Sequence, residues 1–300
     1  MQPAAAPLDW QLEGHDWPHR ERSHFVEADG LRWHLQRWEG PGAGAPGILL
    51  LHGTGASTHS WRHLAPLLAE RFSVLAVDLP GHAFTSRPPR AGMSLPGMSA
   101  SLSALLKVLG LQPEVCIGHS AGAAIAVQMA LSGQAPARIV AINGAFLPFG
   151  GPAASLLSPL ARLLHASPWV PELFARRANE PGVVRSLVEG TGSVLDEEGL
   201  ALYARLIRNP AHARSALGMM AHWDLRDLQR QLPALPLQLD LLVGAGDRAV
   251  PPRQARRVKL RRPQTRLLVM PGLGHLAHEE APAEVARLLL AWAPLTASRS

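Results

Sequence analysis

Six short, almost wholly apolar runs constrain this chain more than any other feature. They span residues 47–51, 72–77, 114–117, 137–142, 237–243 and 266–270, and each stops abruptly at a Gly, His, Asp, Asn or Pro. A strand with one wet face alternates apolar and polar residues. A continuous apolar run marks a strand covered on both faces, the condition of a mainly parallel sheet. Helical patterns lie between the runs, at 98–109, 121–131, 252–260 and 282–292. Alternating β and α units predict an α/β fold, a mainly parallel twisted sheet flanked by helices. Two more strands are expected ahead of it, at 23–27 and 31–38, around a turn at Ala28-Asp29-Gly30.

The alternation stops between about 146 and 232. No strand pattern occurs there, and Leu156, Leu157, Leu160, Leu163 and Leu164 recur at helical spacing, as do Leu200, Tyr203, Leu206 and Ile207. Met219, Met220 and Trp223 close the stretch. Ligands of open α/β sheets bind outside the carboxyl ends of the strands. A helical block inserted between two strands is therefore expected to roof that crevice. The division that follows is a core domain of residues 1–145 and 233–300, with a helical cap of residues 146–232. Most of the cap's leucines are expected simply to bury it against the core.

Composition narrows the class. Hydrophobic residues make up 47% and charged residues 17% of the 300, a globular balance rather than a disordered one. The net charge of +6 comes almost entirely from arginine, since Lys107 and Lys259 are the only lysines. The arginines are scattered, and the densest group, Arg253, Arg256, Arg257, Arg261 and Arg262, fits the polar face and end of one helix. Nucleic acid is not the expected partner. A single cysteine, Cys116, excludes an intrachain disulfide and a cysteine-rich metal site. Residues 1–20 lack the apolar core of a secretory signal, and no stretch approaches the roughly 20 apolar residues of a membrane span. A cytoplasmic protein without metal, cofactor or transmembrane segment is expected.

Gly118-His119-Ser120-Ala121-Gly122 fits G-x-S-x-G, following an apolar strand and opening a small-residue helix, the setting that motif needs. A serine on a tight strand-to-helix turn requires small neighbours, and the helix N-terminus aims its free N–H groups at the hydroxyl. Ser120 is the expected nucleophile. A serine hydroxyl attacks only when a base takes its proton, and the base is oriented by a carboxylate. Of the 14 histidines, His275 follows the last strand directly, in Gly272-Leu273-Gly274-His275. His278 is expected to be structural or at the pocket rim, and His119 to point away from the reaction centre. His52 and His82 are expected to stabilise loops.

Asp247 ends the strand at 237–243 and faces the same crevice, so it is the expected acid. The rival position at Ile142-Asn143-Gly144 offers no carboxylate. Asp240 lies inside a strand, out of reach of the rim and without explanation; Asp224 is the remaining alternative. Oxyanion donors are expected from the backbone N–H of Ala121 and of Thr54, in the glycine-flexed loop His52-Gly53-Thr54-Gly55. That loop lacks the Gly-Lys-Ser/Thr of a nucleotide-binding loop.

With these pieces in order the chain resembles the α/β-hydrolase superfamily, on His52-Gly53-Thr54-Gly55, Asp78-Leu79-Pro80-Gly81-His82, the Ser120 motif, Gly246-Asp247 and Gly274-His275-Leu276-Ala277-His278-Glu279-Glu280. The serine sets it apart from the haloalkane dehalogenase and epoxide hydrolase branches, which carry aspartate there. It is further similar to the magnesium-chelatase accessory proteins of bacteriochlorophyll biosynthesis, on Leu31-Arg32-Trp33-His34, Thr58-His59-Ser60-Trp61-Arg62, Ser94-Leu95-Pro96-Gly97-Met98, Gly190-Thr191-Gly192-Ser193, Asn209-Pro210-Ala211-His212 and Met219-Met220-Ala221-His222-Trp223-Asp224-Leu225. That resemblance implies a role near magnesium insertion into a porphyrin, with chelatase subunits or a porphyrin as partners, and names no reaction.

The expected activity is serine-dependent hydrolysis of an ester, thioester or activated carbon–carbon bond. A cap rich in Leu, Met and Trp implies a bulky apolar substrate, with His119, Trp61, Met219, Met220 and Trp223 as candidate pocket residues. The alternative is an accessory protein that holds a tetrapyrrole or other apolar ligand under the cap with an idle triad. A membrane-surface contact by the leucine-rich 156–164 stretch, with Arg162, Arg176 and Arg177 nearby, is a third reading.

Overall fold

A computed structural model describes residues 7–42, 44–134, 136–148 and 169–292. The leucine pattern at 156–164, with Arg162, lies outside them. Eight strands form one sheet: β1 (Ser23–Ala28), β2 (Leu31–Trp38), β3 (Gly47–Leu51), β4 (Ser73–Val77), β5 (Val115–His119), β6 (Arg138–Ile142), β7 (Gln238–Gly244) and β8 (Arg266–Met270). Their order is β1-β2-β4-β3-β5-β6-β7-β8. Strands β1 and β2 pair antiparallel, as do β2 and β4, and every other pairing is parallel. The β1–β2 turn places Asp29 at φ 53° and Gly30 at φ 69°, the double positive φ of a tight hairpin.

The helices are α1 (Trp10–Glu13), α2 (Leu64–Ala69), α3 (Leu95–Val108), α4 (Ala121–Leu131), α5 (Trp169–Arg177), α6 (Val183–Gly190), α7 (Glu197–Arg208), α8 (Pro210–His222), α9 (Arg226–Gln231), α10 (Pro252–Arg261), α11 (Ala277–Glu280) and α12 (Pro282–Trp292). The apolar runs split by parity. Leu49, Leu51, Leu75, Val77, Cys116, Ile139, Ala141 and Leu241 pack on one face with α3, α4 and α10. Ile48, Leu50, Val74, Ala76, Val115, Ile117, Val140 and Leu242 pack on the other with α2 and α12. The period of two expected of a strand is present but hidden, because both faces are covered.

Helices α5 to α9 lie between β6 and β7. Val184, Val188, Leu195, Leu200, Tyr203 and Ala204 share a cluster with Ala56 and Leu276, which belong to loops at the carboxyl ends of β3 and β8. The stretch ahead of β1 is anchored from Leu8 on: Leu8 and Trp17 are buried with Ala83, Phe84, Leu202 and Leu206. No helix among the described residues is long and apolar enough to cross a membrane.

Asp240 gains an account from its neighbours across the sheet. Its carboxylate lies 3.7 Å from Arg138 on β6 and 3.8 Å from Arg266 on β8, and accepts from Gln238 Nε2 at 2.7 Å. It sits at the amino half of β7, away from the crevice. Arg262, buried at the end of α10, donates to the carbonyls of Leu235 at 2.8 Å, of Pro233 at 3.4 Å and of Leu237. It thus fixes the chain entering β7. Arg262→Met keeps the apolar stem and strands those buried carbonyls, a loss of about 2–4 kcal/mol. The expected outcome is a lower urea midpoint at unchanged m-value; an unchanged midpoint would show that water replaces the guanidinium.

Candidate active site

Strand β5 delivers Ser120 into a backbone conformation that L-residues avoid, φ 50° and ψ −114°, immediately before α4. Such a conformation costs about 1–3 kcal/mol and persists only where surroundings enforce it. Ser120 N donates to Ile142 O and Ala145 N donates to Ser120 O, both at 3.0 Å. The motif glycines follow from contact distances. A Cβ on Gly118 would lie 2.4 Å from Ala123 Cα, and one on Gly122 would lie 2.2 Å from Leu51 O.

The expected acid and the expected base meet. His275 Nδ1 donates to Asp247 Oδ2 at 2.8 Å, and both residues are buried. With its proton on Nδ1, the neutral imidazole carries its lone pair on Nε2, the atom that a general base needs. Asp247 Oδ1 accepts from the amides of Ala249 and Val250, both at 2.8 Å. Asp224 is exposed and held by Arg226. Among the described residues the Ser120 hydroxyl makes no hydrogen bond. Catalytic hydrogen bonds commonly close only with substrate in place.

His119 does not point away from this centre. Its Nε2–H donates to the His275 carbonyl at 3.0 Å, and its ring centroid lies 4.7 Å from that of His275. A Cβ on Gly53 would come 2.7 Å from His119 Nδ1 and 3.1 Å from Ser120 Cβ, so the 52–55 loop presses directly on the Ser120 turn. Among the described residues the amides of Thr54 and Ala121 donate to no protein acceptor. His52 fixes the loop from behind, donating Nδ1–H to Gly53 O at 2.7 Å and accepting from Leu79 N at 2.9 Å. His82 Nδ1–H donates to Pro80 O at 3.2 Å within its own loop.

The other pocket candidates divide. Met219 is fully buried, and Thr54 Oγ1 donates to its sulfur at 3.4 Å. Met220, one residue and about 100° further round α8, is 53% exposed. Trp61 is fully buried in the core on the α2 face, against the His278 ring. Trp223 packs on the opposite core cluster. His278 is buried, not at a rim. Its Nε2–H donates to Ser60 Oγ at 2.8 Å, because the Ser60 proton goes to Glu279 Oε1 at 2.6 Å. Glu279 also accepts from Tyr203 of α7 and from Arg62, each at 2.7 Å. Burial raises the Glu279 pKa, and Arg62 with the hydroxyl donors opposes that rise.

Sequence reasoning missed three supports. Asn143 at the end of β6, set aside for lacking a carboxylate, donates to Asp247 Oδ2 at 2.6 Å and to Gly274 O at 3.3 Å. Its φ of 50° suits asparagine among the non-glycine residues. The Gly190-Thr191-Gly192-Ser193 loop braces the loops after β7 and β8: Thr191 O accepts from Arg248 N at 3.0 Å, and Ser193 Oγ from Leu276 N at 2.8 Å. Gly192, at φ 89°, packs so closely that a Cβ would lie 2.0 Å from Gly246 O. His212 is the third: its Nδ1 accepts from Ala83 N at 3.0 Å and its Nε2–H donates to Gly55 O at 3.1 Å.

Burial, the largest cause in each case, lowers the pKa values of His52, His59, His82 and His119, and holds His212 at about 4 and His278 at about 3. Asp78 sits at about 2: burial alone would raise it, and the His34 imidazole with the Thr58 amide outweighs that. The buried histidines set an acid limit. Their folded pKa values lie below the unfolded value near 6.5, so the unfolded chain binds more protons as pH falls below it. Their stability is fully present above pH ~6.5 and declines by up to about 1.4 kcal/mol per pH unit per histidine on the way down. The thermal midpoint should be flat above pH ~7 and fall steeply below pH ~6; a midpoint unchanged down to pH ~4.5 contradicts this.

Residues 48–288 match the alpha/beta hydrolase family. The chain is 37% identical over 292 residues to the magnesium-chelatase 30 kDa subunit of Rhodobacter capsulatus, covering 97% of this chain and 99% of that one. It is 30% identical over 273 residues to the dihydrolipoyllysine-residue acetyltransferase component of the acetoin cleaving system of Pseudomonas putida, covering 86% and 66%. Among solved structures, epoxide hydrolase CorEH superposes with a TM-score of 0.76 at 22% identity, over 90% of this chain and 97% of that one. The enol-lactonase of Burkholderia xenovorans LB400 gives 0.70 at 19%, over 90% and 99%. At such identities the structures attest the fold alone. Sheet order, the strained turn at Ser120 and the match over 48–288 agree, and the chain belongs to the alpha/beta hydrolase family.

Proposed function

We propose that the protein is a serine-type hydrolase with Ser120, His275 and Asp247 as its triad. The observation that carries this reading is the 2.8 Å bond from His275 Nδ1 to Asp247, at the sheet end where Ser120 holds its strained turn. In the reaction, Ser120 Oγ attacks a carbonyl carbon while His275 Nε2 takes its proton. Asp247 stabilises the imidazolium and keeps the ring in register. Charge developing on the carbonyl oxygen is met by the N–H groups of Thr54 and Ala121. His275 then protonates the leaving group, and water, activated by the same imidazole, releases the acyl product.

Residues 146–232 act as the cap in this reading. The apolar surface they bring, with Met219 against Thr54, supports an ester-like or activated carbon–carbon bond in a bulky apolar substrate. A cytoplasmic setting fits a single, buried cysteine.

A second reading is favoured by one observation, the 37% identity across nearly the whole chain to a magnesium-chelatase subunit. Under it the protein serves chelatase subunits by holding a tetrapyrrole below the cap, and the triad is idle.

A fluorophosphonate probe should label Ser120 in the native protein and leave Ser120→Ala unlabelled. Absence of labelling, together with a porphyrin titration that changes the absorbance spectrum, sinks the first reading in favour of the second. For Asn143→Gly, which keeps the positive φ and removes the amide, we expect kcat on a short acyl ester to fall about 10-fold with KM nearly unchanged, since Asp247 loses a donor that orients it. Equal kcat would mean that the loop amides alone position the acid.

A further inference from the structure

Helix α8 lays one face across the 52–55 loop, which presses on the Ser120 turn, and across the loop that follows β4. His212, Ser215, Ala216 and Met219 follow the i, i+3, i+4, i+7 spacing of a single helical stripe. Met219 receives the Thr54 hydroxyl. Ala216 Cβ lies 4.0 Å from where a Cβ on Gly55 would stand, and Ser215 Oγ lies 2.7 Å from the same point on Gly81. Asn209 caps the helix by accepting from the amides of Ala211 and His212, both at 3.0 Å, which fixes the first turn where His212 sits.

His212 bridges the two loops from that stripe. It takes the Ala83 amide on Nδ1 and gives its Nε2 proton to the Gly55 carbonyl. Ala83 is itself at φ 43°, so its loop has an unusual shape to hold. Gly55, at φ 79°, directly follows Thr54. Only the neutral Nε2–H tautomer satisfies both partners. The groups facing the ring are His82, 5.2 Å away centroid to centroid, with His52 and Asp78 beyond; burial among them keeps His212 uncharged.

We propose that His212 is a positioning residue for the oxyanion hole: by donating to the Gly55 carbonyl it sets the direction of the Thr54 N–H, so that seating of the cap helix and competence of the hole are one event. The inference rests on the Ser120 reading for its catalytic consequence and on the loop contacts alone for its structural one. The Gly55 carbonyl shares its peptide with the Ala56 N–H, which donates to Gly53 O at 3.2 Å, and Gly53 O shares its peptide with the Thr54 N–H. Rotating the Gly53–Thr54 peptide away from Ser120 removes a donor aimed at the transition state. Misplacement on the scale of 1 Å costs catalysis about 100-fold.

Two isosteric halves of the imidazole separate this from simple packing. Gln at 212 carries an amide near the Nε2 position and restores the donor to Gly55; Asn carries its oxygen near Nδ1 and restores only the acceptor for Ala83. The rate of fluorophosphonate labelling at Ser120 should stay within about threefold of wild type in His212→Gln and fall about 10- to 100-fold in His212→Asn and His212→Leu. Amide hydrogen exchange across residues 53–57 should quicken in the Asn and Leu variants and not in Gln. Equal labelling and equal exchange in Gln and Asn overturn the proposal, whether both match wild type or both are impaired. If Leu fails to fold, the Gln–Asn pair decides. If the wild type itself does not label, the Ser120 reading falls, and the exchange comparison still decides whether His212 sets the loop.

Discussion

Four donors converge on the Asp247 carboxylate, and they come from three successive strand ends. Asn143 closes β6, the Ala249 and Val250 amides belong to the loop after β7, and His275 follows β8. A buried carboxylate is costly unless its lone pairs are filled, and here all four positions are occupied. The arrangement works as a knot. Asn143 also grips Gly274 O, so the loop carrying His275 is tied to the strand beside the Ser120 turn. Ser120 N in turn bonds to Ile142 O, one residue before Asn143. A shift in any one strand end is transmitted to the others through bonds of ordinary length.

The helices between β6 and β7 brace this knot from outside. The 190–193 loop touches the Asp247 loop through Thr191 and Gly192 and the His275 loop through Ser193. Tyr203 reaches the buried Glu279, where Arg62 and Ser60 already converge. A buried ion pair of this kind adds little net stability, but removing one partner leaves a charge without solvation, so it fixes how the pieces meet. Several motifs that superfamily membership left unexplained acquire a physical task in this way. Ser60 and Arg62 anchor Glu279, Gly192 admits a close backbone approach, and Asn209 with His212 forms a capped clamp.

Sequence reasoning and structure part where distance along the chain is large. The fold class followed from apolar runs because burial on both faces leaves a purely local signature. Asp247 and His275 were legible because each stands just beyond a strand, and parallel strands bring their carboxyl ends together. His119 was misjudged: the turn geometry suggested an outward ring, yet the loop after β8 folds back and offers it a carbonyl. Trp61 and Met220 look like pocket residues by type, but one is sealed in the core and the other lies on the outer side of α8. Asp240 had no explanation because its partners, Arg138 and Arg266, are neighbours only across the sheet.

What the sequence by itself determined is the set of local conformations. It determined a hairpin followed by six strands wrapped in helices, a serine whose glycine neighbours permit a strained turn, and polar residues delivered to one end of the sheet. Each depends on interactions within a few residues, so the chain states them directly. Tertiary structure alone decided that His119 faces the His275 carbonyl, that Asn143 at the end of β6 grips Asp247, and that helix α8 grips the 52–56 loop. Those outcomes rest on hydrogen bonds between residues about a hundred or more positions apart, such as His212 to Gly55 and Asn143 to Asp247. No local pattern encodes such pairings, because the partners meet only after the sheet has brought its strand ends together.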